Sequence, residues 1–221
     1  MRGAALKRST AIVTAVAALA AVALAAHPAH AGSLKAVPGE SKRSGPGTLF
    51  DYVVKVERGI RIKREQFADM VQEILFSDRS WTGTREVAFE RVRRGANTKI
   101  ILARPHTVDR LCAPLDTNGT YSCSIGERVV LNHRRWVRTV DHWTSSRPNY
   151  RRMLVNHEVG HRIGHGHRSC PGSGKKAFVM QQQSISLDGC RANWWPRKPE
   201  LRATKRMYSA SAVKGSPGFV D

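Results

Sequence analysis

The sequence predicts an α+β domain of the mixed α/β kind, and three observations carry that prediction. Four short runs are rich in Val, Ile and Leu. One stretch spaces its apolar residues as a helix does, and a late stretch opens on a proline suited to a first helical turn. Strand, helix, strands and a late helix in that order fit one sheet served by helices.

Taken in order, residues 1–31 read as an export leader. Arg2, Lys7 and Arg8 precede an uncharged Ala/Val/Leu run over 11–26, and Ala29-His30-Ala31 supplies a small-residue cleavage site. Cleavage after Ala31 predicts a chain that is secreted or associated with the cell envelope. The competing reading is an uncleaved membrane anchor, but the run is Ala-rich and shorter than the ~20 strongly apolar residues a span needs. Residues 32–48 (GSLKAVPGESKRSGPGT) lack apolar periodicity and read as a flexible linker. The span 49–196 is long enough for one domain with its own core.

Within it, 51–57 (DYVVKVE) reads as a strand. Phe67, Met70, Val71, Ile74 and Leu75 then fall at i, i+3, i+4, i+7 and i+8, which puts them on one face of a helix over 65–76. Further strands are expected at 87–92, 99–103 and 128–132, and a second helix from Pro148 through 154–163. Trp194 and Trp195, beside Pro196, read as closing a core rather than lining a pocket. Residues 197–221 are polar and basic and read as a C-terminal tail.

The formal net charge is +20, and removing Arg2, Lys7 and Arg8 with the leader leaves +17. Inside a cell such a surface would point to nucleic acid. Export makes anionic cell-envelope polymers or lipid head groups the expected partners, against the plainer reading of a solvated basic surface. Cys112, Cys123, Cys170 and Cys190 form an even set that an oxidising exterior lets pair. Four cysteines permit three connectivities, of which sequence proximity favours Cys112 with Cys123 and Cys170 with Cys190.

The segment that carries chemistry is His157-Glu158-Val159-Gly160-His161-Arg162-Ile163-Gly164-His165-Gly166-His167. Residues four apart share a helical face, so His157 and His161 can turn their imidazoles to one metal ion. Glu158 flanks them without being spaced as a ligand, which places it to take a proton from water at the metal. Zinc suits such a site because it favours nitrogen ligands in tetrahedral geometry and keeps a fourth position open when three protein ligands bind. His-Glu-x-x-His alone arises by chance. Gly and His supply 18 and 9 of the 221 residues, so demanding Gly164 and His167 as well makes a chance match roughly 300-fold rarer. A helix running on would carry His165 about 12 Å along the axis from His157. Gly164 must therefore turn the chain back, bringing in His167 as third ligand and leaving His165 exposed and without a partner.

His157-Glu158-x-x-His161-x-x-Gly164-x-x-His167 resembles the metzincin zinc-peptidase signature. Val179-Met180-Gln181 resembles the methionine turn that lies beneath the metal in that family. Beyond these motifs the chain resembles an exported domain family of actinomycetes classed as zincin-like. The resemblance implies a zincin-like domain with a twisted sheet and an active-site helix, one catalytic Zn2+, Glu158 as general base and a peptide or protein substrate. It also implies an edge strand before the active-site helix that pairs with extended substrate, for which 129–132 is the candidate by order. Several metzincins carry Tyr just after the methionine. Here Gln181, Gln182, Gln183 and Ser184 follow Met180, which leaves the oxyanion-stabilising group open. Two other functions fit the residues: a zinc amidase acting on cell-wall peptides, and a non-catalytic envelope-binding module with structural zinc. Structural zinc sites fill all four positions with Cys or His, which a three-histidine set does not.

Overall fold

A computed structural model of the chain describes Met1 and residues 32–214, so the leader expected over 1–31 lies, but for Met1, outside the described residues. The architecture is α+β, built on one mixed sheet of six strands. These are β1 (Leu34–Ala36), β2 (Thr48–Glu57), β3 (Val87–Arg91), β4 (Thr98–Ala103), β5 (Cys123–Ile125) and β6 (Arg128–Asn132). They run in the order β1-β2-β4-β6-β5, with β3 also on β2. The β2–β3, β2–β4 and β4–β6 pairs are parallel, while β1 and β5 add antiparallel.

Strand periodicity divides the apolar residues between two faces. Tyr52, Val54, Val56, Ile100, Leu102, Val129 and Leu131 join the main core, whereas Ile101, Ala103 and Val130 face a second cluster with Val108, Cys112 and Cys123. The main core holds helix α1 (Arg64–Phe76), whose buried residues include Phe67, Val71, Ile74 and Leu75, and helix α4 (Arg147–Arg162). The second belongs to helix α2 (Pro105–Cys112). A short helix α3 (His133–Val137) follows β6, and α5 (Lys198–Lys214) is the last helix described.

Three expectations are revised. Residues 32–48 are not a free linker. Leu34–Ala36 pairs with β2, and the following segment is stitched to β3 by Ser41 N–H on Arg91 O at 3.0 Å and by the buried Arg91 guanidinium, which donates to Val37 O and Pro38 O. Nor is 197–221 a tail throughout, since 198–214 form α5 with Glu200 and Thr204 fully buried. Its buried face is polar, so it shows no apolar stripe. Finally, 129–132 is not an edge. β6 lies between β4 and β5, and the edge belongs to β5, joined to β6 by a two-residue turn at Gly126-Glu127.

The cysteines pair as proximity favours, Cys112 with Cys123 and Cys170 with Cys190. Both disulfides fit an oxidising, extracellular setting. Among the described residues no helix is long and apolar enough to cross a membrane.

Candidate metal centre

Helix α4 starts where Ser146 caps it and Pro148 occupies its first turn, and it stops at a glycine. Gly164 takes φ +95°, its N–H bonds to His161 O, and His165 N–H reaches back to Gly160 O at 2.9 Å. This pair of bonds is a Schellman stop, and it reverses the chain directly after His161. His157 and His161 lie one turn apart on α4, and the reversal brings His167 to them.

The three Nε2 atoms converge. His161 Nε2 lies 3.2 Å from that of His157 and 3.1 Å from that of His167. Nitrogens ~2.0–2.1 Å from one tetrahedral zinc ion stand ~3.3 Å apart, so the spacing suits a shared cation. The outward nitrogens fix the tautomers. His157 Nδ1 faces Val179 O at 2.8 Å and His161 Nδ1 faces His165 O at 2.8 Å. A carbonyl only accepts, so both Nδ1 atoms carry the proton and both Nε2 lone pairs point inward. Two lone pairs facing each other repel unless a cation lies between them. Burial holds all three imidazoles below the usual histidine range, that of His157 at about 3, so each offers a neutral ring. The residues present therefore fit a metal ion. Among the described residues, no fourth side chain joins the group.

Glu158 is buried beside this triad, and burial alone pushes its carboxyl up to about 8 in the metal-free protein. It and the three histidines line a cleft of about 480 Å³. Ser124 of β5 and Gln182 line it too, as do Leu115 and Ile185, which at 49% and 50% exposed are conspicuous among large apolar residues.

Met180 is fully buried under α4. A Cβ placed on Gly160 would stand 2.3 Å from its sulfur, so the absent side chain is what lets the methionine approach the helix beside His161. Met180 O accepts from Arg168 N at 3.0 Å, tying this turn to the residue after His167. The second disulfide closes the loop that carries it.

His165 departs from expectation. It is not exposed: it stacks on Trp81 with ring centroids 4.5 Å apart, and its Nε2 meets Thr204 Oγ1 at 2.8 Å. It is nevertheless outside the triad. The chain reversal turns its ring into the core, where Trp81 and α5 wait. Trp194 and Trp195 pack against the core, as read from the sequence.

Sequence reasoning missed Glu200. Its carboxylate accepts from Val179 N at 3.3 Å, Met180 N at 2.9 Å and Arg197 N at 2.7 Å. One signal was available, because Glu200 is the only acidic residue between Asp188 and Asp221, in a segment otherwise rich in Arg and Lys.

A family model described as "Protein of unknown function (DUF3152)" matches residues 23–196, most of the chain, and the chain belongs to that family. No curated protein and no solved structure matches the chain.

Proposed function

We propose that this DUF3152 member is an exported, zinc-dependent peptidase of the metzincin type, with the ion held by His157, His161 and His167. The observation that carries the reading is the convergence of three neutral Nε2 atoms in a cleft that also holds the buried carboxyl of Glu158. Three nitrogen ligands and an open cleft side match catalytic zinc better than structural zinc, which uses four protein ligands. When bound, the ion acidifies water and polarises the scissile carbonyl.

The protein's own groups do the rest. Glu158 accepts the proton of the attacking water and passes it to the leaving amine, a task that requires a carboxyl within reach of both. Its apolar burial removes competing water and keeps its proton affinity high. The free edge of β5 offers backbone groups to an extended peptide, and Ser122, Cys123 and Ser124 line the cleft on that side. The exposed apolar rim at Leu115 and Ile185 favours peptides that place apolar side chains in the cleft. Two disulfides support action outside the cytoplasm.

The test joins metal analysis to a cleavage screen on a peptide library. The purified chain is expected to carry about one zinc. Glu158→Gln should keep the metal and lower hydrolysis by at least roughly 100-fold. Cleavage that survives both chelation and Glu158→Gln would falsify the peptidase mechanism. A fourth protein ligand on the ion would turn the reading to structural zinc.

A further inference from the structure

We propose that Glu200 and Thr204 of α5 are positioning residues of the metal centre, aiming His157 and His161 through two separate hydrogen-bonded relays. The inference rests on the reading that the three histidines hold a metal ion.

Each of these two ligands is oriented by a carbonyl at its Nδ1, and α5 fixes the residue that owns each carbonyl. On the first relay, His157 Nδ1 donates to Val179 O at 2.8 Å. Val179 N and the next amide, Met180 N, both donate to the Glu200 carboxylate. The two carboxylate oxygens divide the load: Oε1 takes Met180 N, and Oε2 takes Val179 N together with Arg197 N. All three partners are donors, so an acceptor-only group is needed. A glutamine would turn an NH2 toward at least one of them.

On the second relay, His161 Nδ1 donates to His165 O at 2.8 Å. The ring of His165 is held between Trp81 and Thr204. Thr204 Oγ1 donates to Glu200 O at 3.2 Å, so its oxygen is free to accept from His165 Nε2–H at 2.8 Å. One turn further along α5, Tyr208 Oη donates to Ile163 O at 2.9 Å, at the end of α4. Positions 200, 204 and 208 share one helical face, and each bonds to the segment that bears or braces the ligands. A helix that buried an ordinary apolar stripe would hold α4 in place without aiming its imidazoles. Outer partners of metal-ligating histidines fix tautomer and ring direction, and losing one typically weakens metal affinity 10- to 100-fold.

The experiment uses the full chain, stripped of metal and titrated with Co(II) and with Zn(II) against a competing chelator. It reads affinity, the Co(II) absorption spectrum and thermal stability. Glu200→Gln and Thr204→Val should each bind roughly 10- to 100-fold more weakly, with an altered Co(II) spectrum. Thr204→Ser, which keeps the hydroxyl, should restore both. Leu201→Ala, on the same helix and packed against the core outside either relay, should melt earlier yet keep the wild-type affinity and spectrum. The proposal is overturned if Thr204→Val binds with wild-type affinity and spectrum, or if Leu201→Ala shifts them as far as the relay variants do. Should Glu200→Gln fail to fold, Thr204→Val and its serine rescue decide alone. A wild-type chain that binds neither ion overturns the metal-centre reading itself, whereas equal binding by every variant sinks only the relays.

Discussion

The ring of His165 is buried against Trp81 and Thr204, whereas His167, two residues on, is exposed and turns its Nε2 to within 3.1 Å of His161. An exposed imidazole suits the third-ligand role proposed for it, because an ion entering from the cleft would meet that ring without disturbing the core. The two side chains should therefore fail differently. His167→Ala should leave the purified protein with little zinc and nearly unchanged melting in chelator. His165→Ala removes a packed ring and should cost on the order of 2 kcal/mol of stability. It keeps the backbone carbonyl that receives His161 Nδ1, so it should still take up about one ion at saturating zinc. Metal analysis and melting of the two variants give the answer. A protein that keeps zinc without His167 and loses it without His165 would show that the ligand set is wrong.

At the scale of the element, α4 and the methionine turn meet at Gly160. Glycine inside a helix is usually less favourable than alanine by ~1 kcal/mol, so propensity alone makes Gly160→Ala stabilising. The close approach reverses the sign, because the added Cβ would stand 2.3 Å from Met180 Sδ and 2.9 Å from Trp81 Cζ2. The substitution should cost ~1–3 kcal/mol, the usual range for overpacking. Met180→Ala should cost less in that background than in the wild type, and denaturant unfolding of the four proteins measures the coupling. Strictly additive costs would mean that the two elements do not touch there. The histidine cluster that could hold a metal was legible in the sequence because His157 and His161 obey a local spacing rule and Gly164 announces the chain reversal. Strands β2, β3, β4 and β6 were legible as short runs rich in Val, Ile and Leu. Helix α5 was not, since the face it buries carries Glu200, Thr204 and Tyr208, and periodicity detects apolar stripes only. Strand β5 has three residues, too few to show alternation, and missing it made β6 look like the edge.

For the whole molecule, buried titratable groups set opposing slopes of stability against pH. Burial lowers the histidines, His157 to about 3 and His165 to about 4, so the unfolded chain binds more protons than the folded one between those values and ~6.5. Stability therefore rises with pH across that window and is lost as pH falls through it. Burial raises Glu158 to about 8, so from ~4.5 to 8 the folded chain keeps a proton that the unfolded chain releases, and stability falls as pH rises. Glu200 is raised in the same direction. Burial also raises Tyr208 to about 12, so a further loss begins above ~10. Above ~7.5 the lowered histidines are deprotonated in both states, so the decline from there to 8 belongs to Glu158. Glu158→Gln removes it. In chelator, its melting temperature minus that of the wild type should grow steadily from pH 4.5 to 8 and level off above. Saturating zinc should shrink this growth, because a cation on the neighbouring histidines favours the ionised carboxylate. A difference that stays constant with pH in chelator would mean that the fold does not hold Glu158 neutral, and a slope unmoved by zinc would place the ion away from it.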